Sequence, residues 1–343
     1  MNSLKYQNRN LGLDLLRSIA ILMVLVSHGR IFLPEFAYRD DLGVFGFLGV
    51  ELFFVLSGFL LGSILFKEFA LKEYTFKTLK QFWIRRWFRT LPLYFIFLFL
   101  NIFVLQYFFG EKNWNWSYFL FSQNLFSSHP SMMPEAWSLS VEEWFYISFP
   151  LILFGLLSLF KNKNQGFLIL TICYVLIFTI FRNYFAFDQN LDWDVNVRKI
   201  VTLRLDSIGY GVLIAYFVLN HKKIVVKYNN KFFIIGVVVI LSAIFLFFYF
   251  KGTTLNNFFM KSYLFSIVSL GFALIIFKTT NLQIPNNFIR SIITKMSLYS
   301  YSAYLVHLSI IIPFFKFTQN VPILTFIIYI LSVFFISSYI YIY

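Results

Sequence analysis

Residues 11–30 read LGLDLLRSIAILMVLVSHGR. Roughly 20 mostly apolar residues of helix cross about 30 Å of hydrocarbon, and this run has that length. Yet it carries Asp14, Arg17 and His28. Ionisable groups at membrane depth cost about 2.5–3.5 kcal/mol on insertion scales, so they tend to face a cavity or a partner. Asp14 and Arg17 stand three residues apart, share a helix face and are expected to pair. Arg17 and His28 stand eleven apart, about three turns, which returns them to nearly one face about 16 Å apart along the axis. The stretch predicts a membrane helix with a polar line down one side. The plain alternative for His28 is an interfacial histidine at a helix end.

The remainder of the 343-residue chain has the same character. Apolar residues make up 59% and charged residues 13%, against about 45–50% and about 25% in soluble domains. Mean hydropathy is +0.73. No aqueous surface accommodates that composition, so the expected class is an all-α polytopic membrane protein. Ten apolar stretches are long enough to be candidate spans: approximately 12–33, 46–66, 91–109, 137–160, 166–185, 201–220, 232–250, 262–277, 291–313 and 322–343. They predict about ten transmembrane helices in one domain, 1–343, with no internal repeat and no appended soluble domain. The polar start MNSLKYQNRN, with no small-residue cleavage site after the first apolar run, reads as leading into a retained helix rather than a signal peptide.

Net charge is +14. In a soluble chain that balance would raise nucleic-acid binding. Here the charges lie in short loops, where they orient helices against a bilayer, and no nucleic-acid partner is expected. With the N-terminus inside, eighteen Lys and Arg fall on its side and ten on the other, Arg17 lying within a span. The bias places both termini in the cytoplasm. Cys173 is the only cysteine, which excludes a disulfide framework and a Cys-based zinc site. No HExxH or comparable His/Asp cluster suggests a metal. There is no GxxxxGK[ST] phosphate loop and no GxSxG elbow.

Other charged positions extend the polar line. In GVELFFVLSGFLLG, Glu51 is expected at a depth similar to His28, adjacent to it and able to orient the imidazole as a carboxylate does for a general base. Ser57, Gly58 and Gly62 read as close-packing positions. Arg86 and Arg89 are an i,i+3 pair on one face at the cytoplasmic side, where planar forked donors suit phosphate. Anionic-lipid contact is the alternative. Glu135, Glu142 and Glu143 cluster at the outer end of the fourth span, either as an acidic helix cap or with one of the adjacent glutamates 142 and 143 facing a cavity. Arg204 and Asp206 open the sixth span. His307, among Tyr299, Tyr301 and Tyr304, reads as a structural hydrogen-bonder. The loop 186–200, with Asp188, Asp192 and Asp194, offers polar groups to a saccharide, although a solvated interfacial loop would look the same.

Taken together, LDLLRSIAILMVLVSH, GVELFFVLSGFLLG, RRWFRTLPLY, WSLSVEEWFY, RLDSIGYG and SYSAYLVH, in that order, resemble the acyltransferase type 3 family of bacterial inner-membrane sugar O-acyltransferases. The resemblance implies a ten-helix fold that takes an acyl group, by default acetyl, from cytoplasmic acyl-CoA. The acyl group is delivered to a hydroxyl of an extracytoplasmic carbohydrate or glycolipid. It implies His28 as the catalytic histidine with Arg17 its helix-mate, and Arg86 and Arg89 as the Arg-x-x-Arg pair that binds the acyl-CoA phosphates. Glu142 or Glu143, Asp206 and His307 fall in family motifs. Acyl-CoA enters as donor substrate, with no permanently bound cofactor. Leu15 stands where the family often has Gly. The chain stops at SSYIYIY, where relatives usually continue into a short tail, so the tenth helix is expected to be clipped. Some relatives carry a periplasmic hydrolase-like domain, for which this chain has no room. The rival class is a transporter or flippase for a glycolipid or exopolysaccharide unit, but such proteins often show repeated halves and interrupted helix pairs, and the sequence shows neither.

Overall fold

The computed structural model describes residues 9–110, 115–251, 256–280, 282, 284–315 and 322–342. Lys5, Lys112 and Lys316, counted in the loop charges, lie outside the described residues, within which every regular element is helical. The long helices are α1 (Leu11–Gly29), α2 (Gly43–Leu65), α3 (Phe76–Phe109), α4 (Ala136–Leu156), α5 (Lys163–Ala186), α6 (Leu205–Asn220), α7 (Lys222–Lys251), α8 (Phe258–Thr279) and α9 (Asn287–Val306). A π turn, His307–Ile311, leads from α9 into the short α10 (Ile312–Phe315), and α11 (Pro322–Ile342) follows.

Each of the ten candidate spans has its counterpart among these elements, the ninth running from α9 through the π turn into α10, but among the described residues eight helices are long and apolar enough to cross a membrane. The two that differ are α3 and α6. The α3 helix carries the uncharged stretch 91–109 behind a basic, amphipathic first third, which brings it to 34 residues. The α6 helix has 16 residues because Arg204 and Asp206 mark its start.

Lipid tails are as apolar as leucine, so helices in a bilayer associate through close packing and polar contacts. Gly58 and Gly211 show the packing. A Cβ on Gly58 would stand 1.9 Å from the Ile208 carbonyl oxygen, and one on Gly211 would stand 2.1 Å from that of Val55. The backbones of α2 and α6 therefore touch. Other closely packed pairs are α7 with α8, and α1 with both α2 and α9.

The polar contacts correct three loop assignments. Arg182, Arg204 and Lys261, counted with the outer loops, are fully buried. Arg182 pairs with Asp206 at 2.6 Å and donates to Ser262 O, Leu203 O and Ser266 Oγ. Arg204 pairs with Glu51 at 2.5 Å and lies 3.9 Å over the Phe265 ring. Lys261 donates to the Asp188 carbonyl at 2.5 Å. These bonds tie α2, α5, α6 and α8 together.

The loop after α5 is likewise committed internally. Asp192 accepts from the amides of Asp194 and Val195, and Asp188 accepts from that of Asn190. Asp194 holds Arg198 and Lys199. Burial raises the Asp194 pKa, but the two cations outweigh it and hold the carboxyl down at about 2. The acids of this loop thus help to hold its own shape.

Candidate active site

A cavity of about 540 Å³ opens between α1, α2, α3, α4, α9 and α11. Among the described residues, Arg9, Arg17, Arg86 and Arg89 line it, with Glu142 as the one carboxylate, and Ser138 and Tyr304 also contribute. Asp14 takes both a bidentate contact from Arg9, at 2.5 and 2.9 Å, and a hydrogen bond from Ser297 at 2.7 Å. The Asp14–Arg17 pair expected from the sequence therefore does not form. Arg9, just ahead of the helix, reaches the carboxylate with its planar fork. Arg17 faces the cavity without a hydrogen-bond or ion-pair partner among the described residues, and so does the exposed Arg89.

Arg86 is held in place. It donates to the Tyr146 hydroxyl, its guanidinium lies 4.2 Å over the Tyr146 ring, and Glu142 stands 3.8 Å away. The same hydroxyl donates to Glu142 at 2.7 Å, so Ser57, at 2.8 Å, donates to it in turn. Of the adjacent glutamates only Glu142 lines the cavity. Glu143 turns away toward Thr90, which donates to it at 3.3 Å. Tyr146 was missed in the sequence, although its i,i+4 spacing from Glu142 would have found it.

At the other end of the cavity, Ser138 and Tyr304 share a hydrogen bond of 2.7 Å. Three residues beyond Tyr304 comes His307. Its Nε2 lies 2.9 Å from His28 Nδ1, and its Nδ1 lies 2.7 Å from the Tyr304 carbonyl oxygen. His28 thus meets His307 and not Glu51. The carboxylate of Glu51 is turned toward α6 and α8, where it neutralises Arg204 and accepts from Ser269. A full charge pair outcompetes a contact to imidazole, so the Glu51–His28 contact expected from the sequence does not form and His28 has His307 beside it. Arg204 and Asp206, both fully buried in ion pairs, stand in the structural network and not in the cavity.

An acidic helix cap was one reading of the glutamate cluster, but Glu135, at the N-cap position of α4, makes no side-chain capping bond. Its carboxylate accepts from Ser309, in the turn that carries His307, at 2.5 Å. Burial pushes this carboxyl, one residue outside the span Ala136–Leu159, up to about 7. Among the described residues no group of three or more His, Cys, Asp or Glu side chains could hold a metal ion.

Fold and site define a multi-pass membrane protein with a cationic cavity that reaches toward a histidine pair. The family described as "Acyltransferase domain" matches residues 10–342, and the chain belongs to this acyltransferase type 3 family. A Staphylococcus aureus protein provisionally named an O-acetyltransferase is 33% identical over 241 residues, 63% of this chain and 37% of the relative. The peptidoglycan O-acetyltransferase OatA of Listeria monocytogenes is 31% identical over 169 residues, 45% of this chain and 25% of the relative. The matches thus span from a quarter to little more than a third of the length of these curated relatives. No solved structure matches the chain.

Proposed function

We propose that this protein is a membrane O-acyltransferase of the bacterial inner membrane. It moves an acetyl group from cytoplasmic acetyl-CoA to a hydroxyl of an envelope carbohydrate or glycolipid. The chain forms one domain that crosses the bilayer ten times, α3 and α6 included, with both termini in the cytoplasm. Removing the buried Arg182, Arg204 and Lys261 from the outer loop charges strengthens that orientation. The observation that carries the reading is the cavity. Four arginines line it among the described residues; Asp14 offsets Arg9 and Glu142 offsets Arg86. This leaves a net positive charge, on Arg17 and Arg89, that suits the phosphates of coenzyme A, and the cavity reaches Tyr304, one turn from the His28–His307 pair. The relatives named as peptidoglycan O-acetyltransferases make an envelope saccharide the favoured acceptor class.

In this mechanism Arg86 and Arg89 bind the phosphates, and Arg17 draws the pantetheine arm inward along α1. His28 takes the proton of the acceptor hydroxyl as its oxygen forms a bond to the thioester carbonyl carbon. The carbon–sulfur bond then breaks, and the departing thiolate takes the proton from His28. General base catalysis contributes about 10²–10⁴-fold, so His28→Ala should lower turnover by about that factor while folding survives.

The test follows free thiol release and transfer of label from radiolabelled acetyl-CoA, with purified protein in liposomes. Loss of turnover in His28→Ala, with weaker acetyl-CoA binding in Arg86→Ala/Arg89→Ala, supports the reading. A folded wild type that binds no acetyl-CoA overturns it and leaves the transporter class.

A further inference from the structure

We infer that His307 sets the proton on His28, with the Tyr304 backbone carbonyl as the fixed end of the chain. The inference rests on the reading of His28 as the base and names the residue that poises it. A carbonyl oxygen only accepts, so the contact between His307 Nδ1 and Tyr304 O at 2.7 Å places a hydrogen on His307 Nδ1. His307 is fully buried and forms no ion pair with a carboxylate among the described residues. Its ring is neutral there, because an unpaired buried charge is costly. With one hydrogen spent on Nδ1, its Nε2 carries a lone pair. The 2.9 Å contact with His28 then requires His28 Nδ1 to donate. In a neutral imidazole the other nitrogen is bare, and among the described residues the hydrogen bond of His28 is made by Nδ1 and none by Nε2.

The chain of two hydrogen bonds therefore leaves one free lone pair, on the nitrogen that must take the acceptor proton. When His28 Nε2 is protonated, its Nδ1–H keeps donating to His307 Nε2, which stabilises the imidazolium. This is the task a carboxylate performs in a Ser-His-Asp triad, carried out here without a second charge in the bilayer. The π turn His307–Ile311 begins at His307 and is tied to α4 through Ser309 and Glu135, so the position of the ring is fixed from two helices. His307 acts through His28 and is a positioning residue.

The chain contains four histidines, few enough to assign by single substitution. Solid-state nitrogen NMR on ring-labelled protein in liposomes separates protonated from bare ring nitrogens without any donor or acceptor present. The expected result is His28 with a protonated Nδ1 and a bare Nε2 in the wild type. His307→Ala is expected to lose that preference and His307→Gln, whose amide oxygen can accept, to keep it. A wild-type His28 protonated on Nε2 overturns the inference, as does an unchanged preference in His307→Ala. Should His307→Ala fail to fold, the wild-type spectrum decides. In thiol release, His307→Ala is expected to lose roughly 10- to 100-fold in maximal rate, at unchanged acetyl-CoA affinity, with His307→Gln recovering most of it. A wild type without turnover defeats the acetyl-transfer reading but leaves the NMR result to decide this one.

Discussion

Glu51 and Arg204 meet at 2.5 Å with both side chains fully buried, joining α2 to the start of α6. Removing one partner of such a pair strands the other charge and costs about 3–5 kcal/mol. Glu51→Ala should therefore lower thermal stability in detergent, measured by size-exclusion after heating. Glu51→Gln/Arg204→Met, which removes both charges, should be more stable than Glu51→Ala. A Glu51→Ala protein of native stability that has lost only turnover would return Glu51 to the chemistry.

The α2–α6 crossing leaves no room for a side chain. Gly58→Ala places a methyl 1.9 Å from the Ile208 carbonyl oxygen, and overpacking against backbone costs about 1–3 kcal/mol or more. Folded yield should fall for Gly58→Ala and for Gly211→Ala. Gly155→Ala, which meets nothing within 4 Å, should express as wild type. Equal yields for all three would refute the contact.

Arg17 and Arg89 supply cavity charge that has no ion-pair partner among the described residues. A hydrogen bond to a charged group contributes about 1.5–3 kcal/mol, roughly ten- to hundredfold in Kd. Arg89→Gln and Arg17→Gln should each weaken acetyl-CoA binding by about that factor, with little loss of stability. Isothermal titration at two salt concentrations should show a smaller salt dependence in both variants. Arg86→Gln is a less clean probe, because it also frees Tyr146 and Glu142.

His129 lies in the loop ahead of α4, donating from Nδ1 to the Pro130 carbonyl at 2.6 Å. Burial lowers its pKa to about 4, against about 6.5 in an unfolded chain. Between those values the unfolded loop binds a proton that the folded loop refuses. The stabilisation is complete above pH 6.5, is lost as pH falls toward 4, and changes no further below that. Asp194 adds nothing in this window, because its own loss lies lower, between 3.8 and about 2. Glu135, raised to about 7, acts in the opposite sense over nearly the same range, because the folded state takes up its proton first. Hydrogen exchange across 116–135, corrected for intrinsic rate, is therefore read as the difference between wild type and His129→Asn, in which Glu135 cancels: the wild type should lose protection relative to the variant from pH 6.5 to 4.

The helices and the site were legible to different depths. Hydropathy located all ten apolar stretches, because a bilayer accepts little else. It did not see the basic third of α3 or the first ten residues of α7, since helical turns rich in Lys, Arg and Asn are not apolar. Arg86, Arg89, Arg17 and His28 were visible because each is a charge or imidazole in an apolar context, and three of them line the cavity. The small residues of α2 likewise announced a close crossing.

Partners were not legible. Periodicity says which residues share a face of one helix, and Asp14 and Arg17 do share one. It says nothing of what another segment brings to that face, and Arg9 and Ser297 take Asp14. Glu51 was placed beside His28 by depth alone, but its azimuth around α2 aims it at Arg204. His307 looked ordinary in sequence because its partner lies 279 residues away. The sequence by itself determined a membrane protein with buried charges in a set order, because insertion energy depends on composition along the chain. Tertiary structure alone decided which charge meets which, because hydrogen bonds act over about 3 Å and only helix packing brings distant residues that close.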